Sequence, residues 1–319
     1  MSEKTAISMG GKSRHTLMQS IWDARYIYLI LLPGILYYAV MHYGPMSGLI
    51  LAFKKYSARL GIWGSQWVGL KNFERIFITP MALEAILNTL EISIGRLVFE
   101  FPIPILLALL LNELNGGKVK KLYQTVLTFP HFLSWIVVGT IMTNIFNNTG
   151  VINMLVQSFG GETINFLAQK SFARPFLYIT SNWKGMGWSS IIYLAAMASI
   201  DPSLYEAAMI DGATRTQRII HITLPSIATT ITVLFILEVG RIMNSGFDQI
   251  FNLQNGVTKS VTNVLDIYIY DITFNATPNY GFSTAVGMFK SFINLIMLVI
   301  ANLGAKHISG QGLFGGRTK

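Results

Sequence analysis

The sequence contains no cysteine and few charged residues. Asp, Glu, Lys and Arg make up 12% of its 319 residues, against about a quarter in an average soluble domain, and 52% of the residues are hydrophobic. This composition excludes an ordinary water-soluble domain and indicates an integral membrane protein. The lack of cysteine excludes disulfide bonds and thiolate metal sites.

Motifs for metal binding and ATP hydrolysis are also missing. The histidines are scattered without ligand spacing, at positions His15, His42, His131, His221 and His307. No phosphate-binding loop of the Walker type occurs, so we expect neither a metal nor a nucleotide cofactor in this chain. The formal net charge of +9 fits basic loops lying against anionic lipid headgroups and does not indicate a nucleic-acid surface.

Six apolar stretches are each long enough to cross about 30 Å of hydrocarbon as a helix. They cover residues 26–42, 88–111, 125–146, 176–199, 226–245 and 282–305. This predicts an all-α membrane protein with six transmembrane helices and both termini on one side. The first stretch is short, and two alternatives remain for it: an end near His42, or a broken or re-entrant piece that continues through Gly44 and Pro45 toward Phe53. No small-residue cleavage site follows it, which favours an uncleaved span over a secretory signal.

Basic residues are distributed unevenly between the loops of the two sides. One side carries Lys4, Lys12, Arg14, Arg25, Lys118, Lys120, Lys121, Arg215, Arg218, Lys306, Arg317 and Lys319. This bias predicts a cytoplasmic N-terminal tail (1–25), a transmembrane region (26–305) with a cytoplasmic loop at 201–225, and a cytoplasmic C-terminal tail (306–319). A basic cluster at residues 54–75 argues the other way, but its loop is long, and long segments translocate with less regard to charge.

The loop at 201–225 contains the most informative motif. Glu206-Ala207-Ala208 and Asp211-Gly212 are followed by Ile222-Thr223-Leu224-Pro225. Residues 204–220 can form an amphipathic helix, Gly212 permits a sharp bend, and Pro225 is suited to the first turn of the next helix. Two interpretations are open, a helical elbow that contacts a partner and an ordinary alanine-rich cytoplasmic loop.

The spacing of this motif resembles the coupling loop of ABC importer permeases. Glu-Ala-Ala, three residues, Gly, nine residues and Ile-x-Leu-Pro are all present. The resemblance implies a type I ABC importer transmembrane domain whose elbow docks into a cleft of a cytoplasmic ATPase. It further implies that Glu206 and Asp211 contact the ATPase and that Ala207, Ala208 and Gly212 allow close docking. The other motif positions are Ile222, Leu224 and Pro225.

Weaker motifs narrow the resemblance to the carbohydrate-uptake branch, and within it to permeases for complex oligosaccharides. These motifs are residues 68–73 (Val-Gly-Leu-Lys-Asn-Phe), 183–188, 191–196, 280–287 and the tail Gly312-Leu313-Phe314. The implied function is binding-protein-dependent import of oligosaccharides across the bacterial cytoplasmic membrane, without enzymatic activity in this chain. The implied partners are a second homologous permease chain, an ATPase dimer that binds ATP and Mg²⁺, and an extracytoplasmic solute-binding lipoprotein.

Polar and aromatic residues inside the predicted spans are candidates for the transport route. Indole rings can cover a sugar face, and neighbouring cations or amides can bind its hydroxyls or carboxylates. The candidates are Trp183, Lys184, Gly185 and Trp188 before the elbow, and Arg241, Asn244 and Ser245 after it. The alternative for the two tryptophans is an aromatic belt at the membrane interface.

Charged residues in the spans bear on the substrate. Lys184 and Arg241 favour an acidic oligosaccharide derived from pectin or another uronic-acid polymer, whereas Glu238 lies close enough to Arg241 in sequence to neutralise it and favours a neutral one. Arg96 and Glu100 can form an ion pair that serves transport or only helix packing. A secondary transporter or channel would need more ion-coupling carboxylates, and an intramembrane enzyme would need paired catalytic groups that the spans lack.

Overall fold

The computed structural model describes residues 22–114, 116–275, 277–309 and 312–313. This part of the chain is almost wholly helical, with one two-stranded antiparallel hairpin in which Lys54–Lys55 pairs with Gln66–Trp67. The α-helices are Arg25–Tyr38, Gly44–Met46, Gly61–Gly64, Lys71–Ile78, Pro80–Phe99, Pro102–Asn112, Gly117–Thr128, Trp135–Phe146, Val151–Ser158, Lys170–Ala198, Pro202–Ile210, Arg215–Arg218, Leu224–Val239, Phe247–Leu253, Lys259–Thr262, Leu265–Tyr270 and Tyr280–Ser309. Short 3₁₀ helices are Ser47–Phe53, Phe129–Phe132 and Phe166–Ala168, and π-helical turns are Ala39–Tyr43, Ile219–Thr223 and Asp271–Asn275.

The chain divides into two compact units between Ile50 and Leu51. In the first unit the helix Arg25–Tyr38 is followed by the π-turn Ala39–Tyr43, which precedes Gly44 and Pro45. The helical turns that follow continue past the end of this unit to Phe53. The N–H of Gly44 bonds to the carbonyl of Ala39, so the wider turn accommodates a proline that cannot donate a hydrogen bond. The predicted end of this span near His42 was therefore wrong, and the alternative that extends to Phe53 describes the chain.

In the second unit, three helical segments are long and apolar enough to span a membrane. They are Pro80–Asn112, Arg215–Val239 and Tyr280–His307. The first and third contain the predicted spans 88–111 and 282–305. Among the described residues, Arg25–Phe53 brings the number of such segments to four.

Two predicted spans differ from simple apolar helices. Residues 125–146 do not form one straight span, because Gly117–Phe132 and Trp135–Ser158 are bent by 103° at a break after Phe132. The side chain of Ser134 caps the second helix by accepting the N–H of Val137. Residues 176–198 of the predicted span 176–199 lie in Lys170–Ala198, which at 1.5 Å per residue is about 43 Å long but more polar than the apolar segments above. The described residues thus contain four helical segments apolar enough to span a membrane, or five if the bent pair is counted as one span. The predicted number of six transmembrane helices is not confirmed.

The predicted span 226–245 ends too late. The helix Leu224–Val239 stops at Gly240, and residues 240–246 form turns before the next short helix. Its sequence predicted a longer span because Ile242 and Met243 are apolar, but both are buried in a core cluster with Leu265 and Phe282. Arg241, Asn244 and Ser245 consequently lie in a folded turn.

The helix Lys170–Ala198, called the Lys170 helix, is at the centre of the second unit. It contacts Pro102–Asn112, Gly117–Thr128, Leu224–Val239 and the short helices near residue 250. Gly187 allows its close approach to the backbone of Leu127, because a Cβ at position 187 would overlap the Leu127 carbonyl. Gly95 makes similar room for the ring of Tyr178. Small residues therefore set the distance between these helices.

We predict that Gly187→Ala lowers the midpoint of thermal unfolding, whereas Gly185→Ala, two residues away on the same helix, does not. A Cβ at 187 meets backbone atoms of Leu127, and overpacking of this kind costs roughly 1–3 kcal/mol. A Cβ at 185 meets no atom within 4 Å, and alanine is favoured over glycine in a helix by about 1 kcal/mol. Thermal unfolding of the detergent-solubilised variants tests this, and equal midpoints for the two variants would contradict the packing described.

Candidate functional site

The motif at residues 201–225 forms two short helical arms joined by a tight turn. Asp201 caps the first arm, Pro202–Ile210, by accepting the N–H of Ser203 at 2.9 Å. Hydrogen bonds from Ser203 hold the pKa of Asp201 below its usual value, so this cap is ionised at neutral pH. The predicted helix over 204–220 is interrupted, because the first arm ends at Ile210 and the bend predicted at Gly212 separates it from the second arm, which begins at Arg215.

The turn between the arms is a Schellman motif. The N–H of Gly212 bonds to the carbonyl of Met209, and the N–H of Ala213 bonds to that of Ala208. Gly212 has φ +77°, a left-handed conformation that costs other residues about 1–2 kcal/mol. The glycine of the motif is therefore required by the backbone.

The second arm continues directly into a long helix. Thr214 and Gln217 form a capping box at its start. The π-turn Ile219–Thr223 then precedes Pro225, and the N–H of Leu224 bonds to the carbonyl of Ile219. Pro225 lies in the first turn of the α-helix Leu224–Val239, as predicted, and the π-turn joins that helix to Arg215–Arg218 in one helical segment, Arg215–Val239. A hydrogen bond of 2.9 Å between Tyr205 and Thr223 ties the first arm to the second.

The elbow presents a groove and exposed apolar side chains. The groove has a volume of about 320 Å³ and is lined by Ala208, Asp211, Gly212, Ala213, Gln217, Arg218, His221 and Ile222. Ile210 is 86% exposed at its rim. Of the other predicted coupling residues, Glu206, Ala207 and Pro225 are exposed and Leu224 is half-buried. The groove thus brings together four of the predicted coupling residues, Ala208, Asp211, Gly212 and Ile222.

A larger cavity of about 370 Å³ lies between the long helices of the second unit. It is lined by Arg96, Glu100, Phe101, Pro104, Ser189, Ile192, Tyr193, Leu234, Leu237, Glu238 and Arg241. The two acidic and two basic side chains make its wall strongly polar, while Phe101, Ile192 and Leu237 supply apolar surface. Such a mixture suits a ligand that carries both polar groups and apolar faces.

Arg96 and Glu100 form the predicted ion pair, with Arg96 Nε 3.6 Å from Glu100 Oε1. Ser181 on the Lys170 helix donates to the other carboxylate oxygen at 2.8 Å. Arg96 also donates to Gln249. Glu100 is therefore engaged by two partners, and both charges of the pair still line the cavity.

Glu238 and Arg241 approach the cavity from the end of the helix Leu224–Val239. Both are exposed, and in the described part of the chain neither belongs to an ion pair within 4.0 Å. Asn244 lines a small neighbouring pocket together with Arg96 and Arg241, whereas Ser245 is fully buried and bonds to Ser93 at 3.0 Å. Of the three candidates after the elbow, Arg241 lines the main cavity, Asn244 adjoins it, and Ser245 packs between helices.

None of the four candidates before the elbow lines the main cavity, and three of them, Trp183, Lys184 and Trp188, contact residues beside the break after Phe132. Trp188, which is 46% exposed, stacks on His131 with ring centroids 4.5 Å apart. Lys184 donates to the carbonyl of His131, and its Nζ lies 5.5 Å from the centre of the Trp135 ring. Trp183 packs against the Phe176 cluster, and open space surrounds Gly185. The structure therefore separates these residues from Arg241.

Several residues of the cavity were not assigned to it from the sequence. Arg96 and Glu100 were recognised only as a pair, and their four-residue spacing was the available signal. Ser189 and Tyr193 lie one turn apart on the Lys170 helix, and both line the cavity. The candidates chosen from the sequence were other residues of that helix, between Trp183 and Trp188. Outside the cavity, Lys290 forms an ion pair with Asp266.

Comparisons with known proteins agree with this architecture. Residues 101–310 match the family described as "Binding-protein-dependent transport system inner membrane component". Protein LplB of Bacillus subtilis is 44% identical over 300 residues, which cover 93% of each chain. The polygalacturonan/rhamnogalacturonan transport system permease protein YteP of Bacillus subtilis is 41% identical over 97% of this chain and 96% of YteP.

A solved structure also matches over almost the whole chain. It is a bacterial ABC transporter involved in the import of the acidic polysaccharide alginate, with a TM-score of 0.84 and 36% sequence identity over 92% of this chain and 99% of that chain. The same transporter type in complex with an alginate pentasaccharide-bound periplasmic protein matches with a TM-score of 0.85. The helices thus have the type I ABC importer permease fold. The chain belongs to the family of binding-protein-dependent transport system inner membrane components, and it is a multi-pass membrane permease rather than an enzyme.

Proposed function

We propose that the chain is one permease subunit of an ATP-driven importer of acidic oligosaccharides, and that the 370 Å³ cavity lies on the sugar path. The observation that carries this proposal is a cavity wall with two arginines in a chain that is 41% identical to a polygalacturonan/rhamnogalacturonan permease. The 36% identical alginate importer supports the same substrate class. Uronic acids bear a carboxylate on each sugar, and arginine binds carboxylates through paired, charge-assisted hydrogen bonds.

The charges of the cavity wall assign different roles to its two arginines. Arg96 is held by Glu100 and Gln249, whereas Arg241 has no ion-pair partner among the described residues. Arg241 is therefore the side chain with the most donors available to a sugar carboxylate. Glu238 would accept hydrogen bonds from sugar hydroxyls, and it is the feature that favours a neutral oligosaccharide as the alternative substrate.

The elbow at 201–225 supports coupling to a separate ATPase dimer. Its exposed Ile210, its groove, and the acidic side chains Glu206 and Asp211 form a compact surface that projects from the helices. The same helical segment, Arg215–Val239, carries the groove residue Arg218 near one end and Glu238 at the other. Displacement of the elbow by ATPase closure would thus be transmitted along one helix to the cavity wall, with ATP and Mg²⁺ bound by the ATPase and not by this chain.

The proposed topology has six membrane passes. The Lys170 helix and the bent pair around Phe132 add two passes to the four apolar segments. Their polar character has a physical reason, since Ser181 binds Glu100 and Ser189 lines the cavity, so these side chains face protein or water instead of lipid. Both termini and the elbow are then cytoplasmic. A second homologous permease chain completes the pore, and a solute-binding protein delivers the sugar from outside.

We expect Arg241→Gln to raise the KM for uptake of an acidic oligosaccharide by about tenfold, because a hydrogen bond to a charged group contributes roughly 1.5–3 kcal/mol. Uptake by the reconstituted complex of a neutral oligosaccharide of equal length should change little. Glu238→Gln is the matched control, because it removes a negative charge from the same cavity wall and leaves both arginines in place. An equal loss for acidic and neutral substrates in Arg241→Gln would contradict a carboxylate-binding role.

Gly212→Ala should uncouple ATP hydrolysis from uptake, because a left-handed alanine strains the turn that aims the elbow. Gly160→Ala is the matched control: Gly160 has φ +82°, and, as at Gly212, a Cβ there meets no atom within 4 Å. Uptake per ATP hydrolysed in proteoliposomes is the measurement. If both variants lose coupling to the same degree, the effect is general strain, and the elbow proposal fails.

The topology can be tested with single cysteines, because the natural chain has none. A membrane-impermeant maleimide should label Glu206→Cys in inside-out vesicles and Lys55→Cys in right-side-out vesicles, since both side chains are exposed. Labelling of both positions from the same side would rule out the proposed arrangement.

A further inference from the structure

Gln249 is a buried polar residue whose side-chain amide is hydrogen-bonded through both its oxygen and its nitrogen. It lies on the helix Phe247–Leu253, in the segment between the last two long helices, and is 1% exposed. It does not line the cavity, but its side-chain oxygen accepts a hydrogen bond from Arg96, which does. We infer that Gln249 is a positioning residue that sets the affinity of the cavity for sugar carboxylates by orienting Arg96, an inference that rests on the proposed function.

The orientation of the Gln249 amide is fixed by its other end. Its Nε2 donates to the carbonyl of Leu177 and to the hydroxyl of Thr180, each at 2.7 Å. The Thr180 hydroxyl itself donates to the carbonyl of Phe176 at 2.9 Å, so toward Gln249 it acts as an acceptor. The amide nitrogen must therefore face the Lys170 helix, and the amide oxygen must face Arg96.

Arg96 has two competing partners. Glu100 attracts its Nε end at 3.6 Å, while Gln249 accepts from one of its terminal nitrogens. A guanidinium presents five N–H donors in a rigid plane, so binding one edge to a neutral amide fixes that plane without adding a second negative charge. Without Gln249, the guanidinium would be free to close onto Glu100 and form a tighter, neutral pair. Gln249 thus preserves donors of Arg96 for a ligand in the cavity.

The turn that precedes Gln249 is also shaped around Arg96. Gly246 begins this helix with φ +74°, and a Cβ at position 246 would lie 3.0 Å from Arg96 Nη1. Glycine is thus required there both by the backbone conformation and by the space that the guanidinium occupies. Gly246 and Gln249 thus both lie next to the terminal nitrogens of Arg96, and neither lines the cavity.

The test uses the complete reconstituted importer and measures KM and kcat of uptake with an acidic and a neutral oligosaccharide. Gln249→Leu should raise the KM for the acidic substrate by about fivefold to tenfold with kcat retained, because Arg96 is lost as an oriented hydrogen-bond donor to a charged group. The control is Gln254→Leu, which in the same segment removes a hydrogen bond of 3.0 Å to Thr262. It should leave the KM unchanged.

A second variant separates positioning from general stability. Thr180→Val removes one of the two acceptors of Gln249 Nε2, while the carbonyl of Leu177 still holds the amide with its oxygen toward Arg96, so it should lower the thermal midpoint while retaining the KM for the acidic substrate. A KM raised as much as in Gln249→Leu would overturn the inference, because the effect would then follow stability. A lower kcat in Gln249→Leu with an unchanged KM for the acidic substrate would also overturn the inference.

A double variant distinguishes failure of this inference from failure of the proposed function. If Gln249 acts through Arg96, then Gln249→Leu has no further effect on the KM in an Arg96→Gln background. Independent, multiplying effects of the two substitutions would overturn the positioning role alone. If Arg96→Gln leaves the KM for the acidic substrate unchanged while Arg241→Gln raises it, Arg96 does not bind the carboxylate and this inference alone fails; if neither substitution raises the KM, the cavity is not the carboxylate site and the proposed function fails as well.

Discussion

A polar group held among membrane-spanning helices must find its partners within the protein, because hydrocarbon offers it none. This constraint explains the arrangement of the second unit around Arg96. Its charge is balanced by Glu100, whose carboxylate also binds Ser181, and one edge is held by Gln249. Through these contacts a single guanidinium joins the helix Pro80–Phe99 to the Lys170 helix and to the short helix that follows Gly246.

The same polar contacts that stabilise the helices also create the cavity. The charges of Glu100 and Arg96 balance each other at 3.6 Å without a hydrogen bond between Arg96 Nε and Glu100 Oε1, and both side chains form a polar wall facing an open volume. Arg241 and Glu238 complete this wall from the end of Arg215–Val239. That helical segment begins in the elbow, so the cavity wall and the proposed ATPase contact are joined by about 37 Å of continuous helix at 1.5 Å per residue.

The sequence was sufficient to predict the elbow and the apolar helices, since both depend on local signals. Gly212 and the fixed spacing of the elbow motif specify a turn, and runs of apolar residues specify spans. The sequence was less informative where tertiary contacts override the local conformational preference of a segment. The break after Phe132 follows Pro130, which the hydropathy of residues 125–146 concealed. The π-turn that joins Arg215–Arg218 to the helix beginning at Leu224 was not predicted either.

The transport-site candidates show the same limit. Aromatic and charged residues at 183–188 carried the strongest local signal, yet the structure places them around the break, where Trp188 stacks on His131. The cavity is assembled from residues distant in sequence, and which faces of three helices meet is not encoded in any one of them. Arg96 was visible only as half of a pair, and its partner Gln249 lies 153 positions away.

The central claim is that the cavity recognises sugar carboxylates. It is tested most directly by the ATPase activity of the wild-type complex, reconstituted with its partner permease, ATPase and binding protein, in the presence of oligogalacturonate and of its methyl ester. Esterification removes the negative charges and retains the sugar rings and their linkage. The account predicts strong stimulation by the free acid and weak stimulation by the ester; equal stimulation by both would show that arginine recognition of carboxylates does not select the substrate.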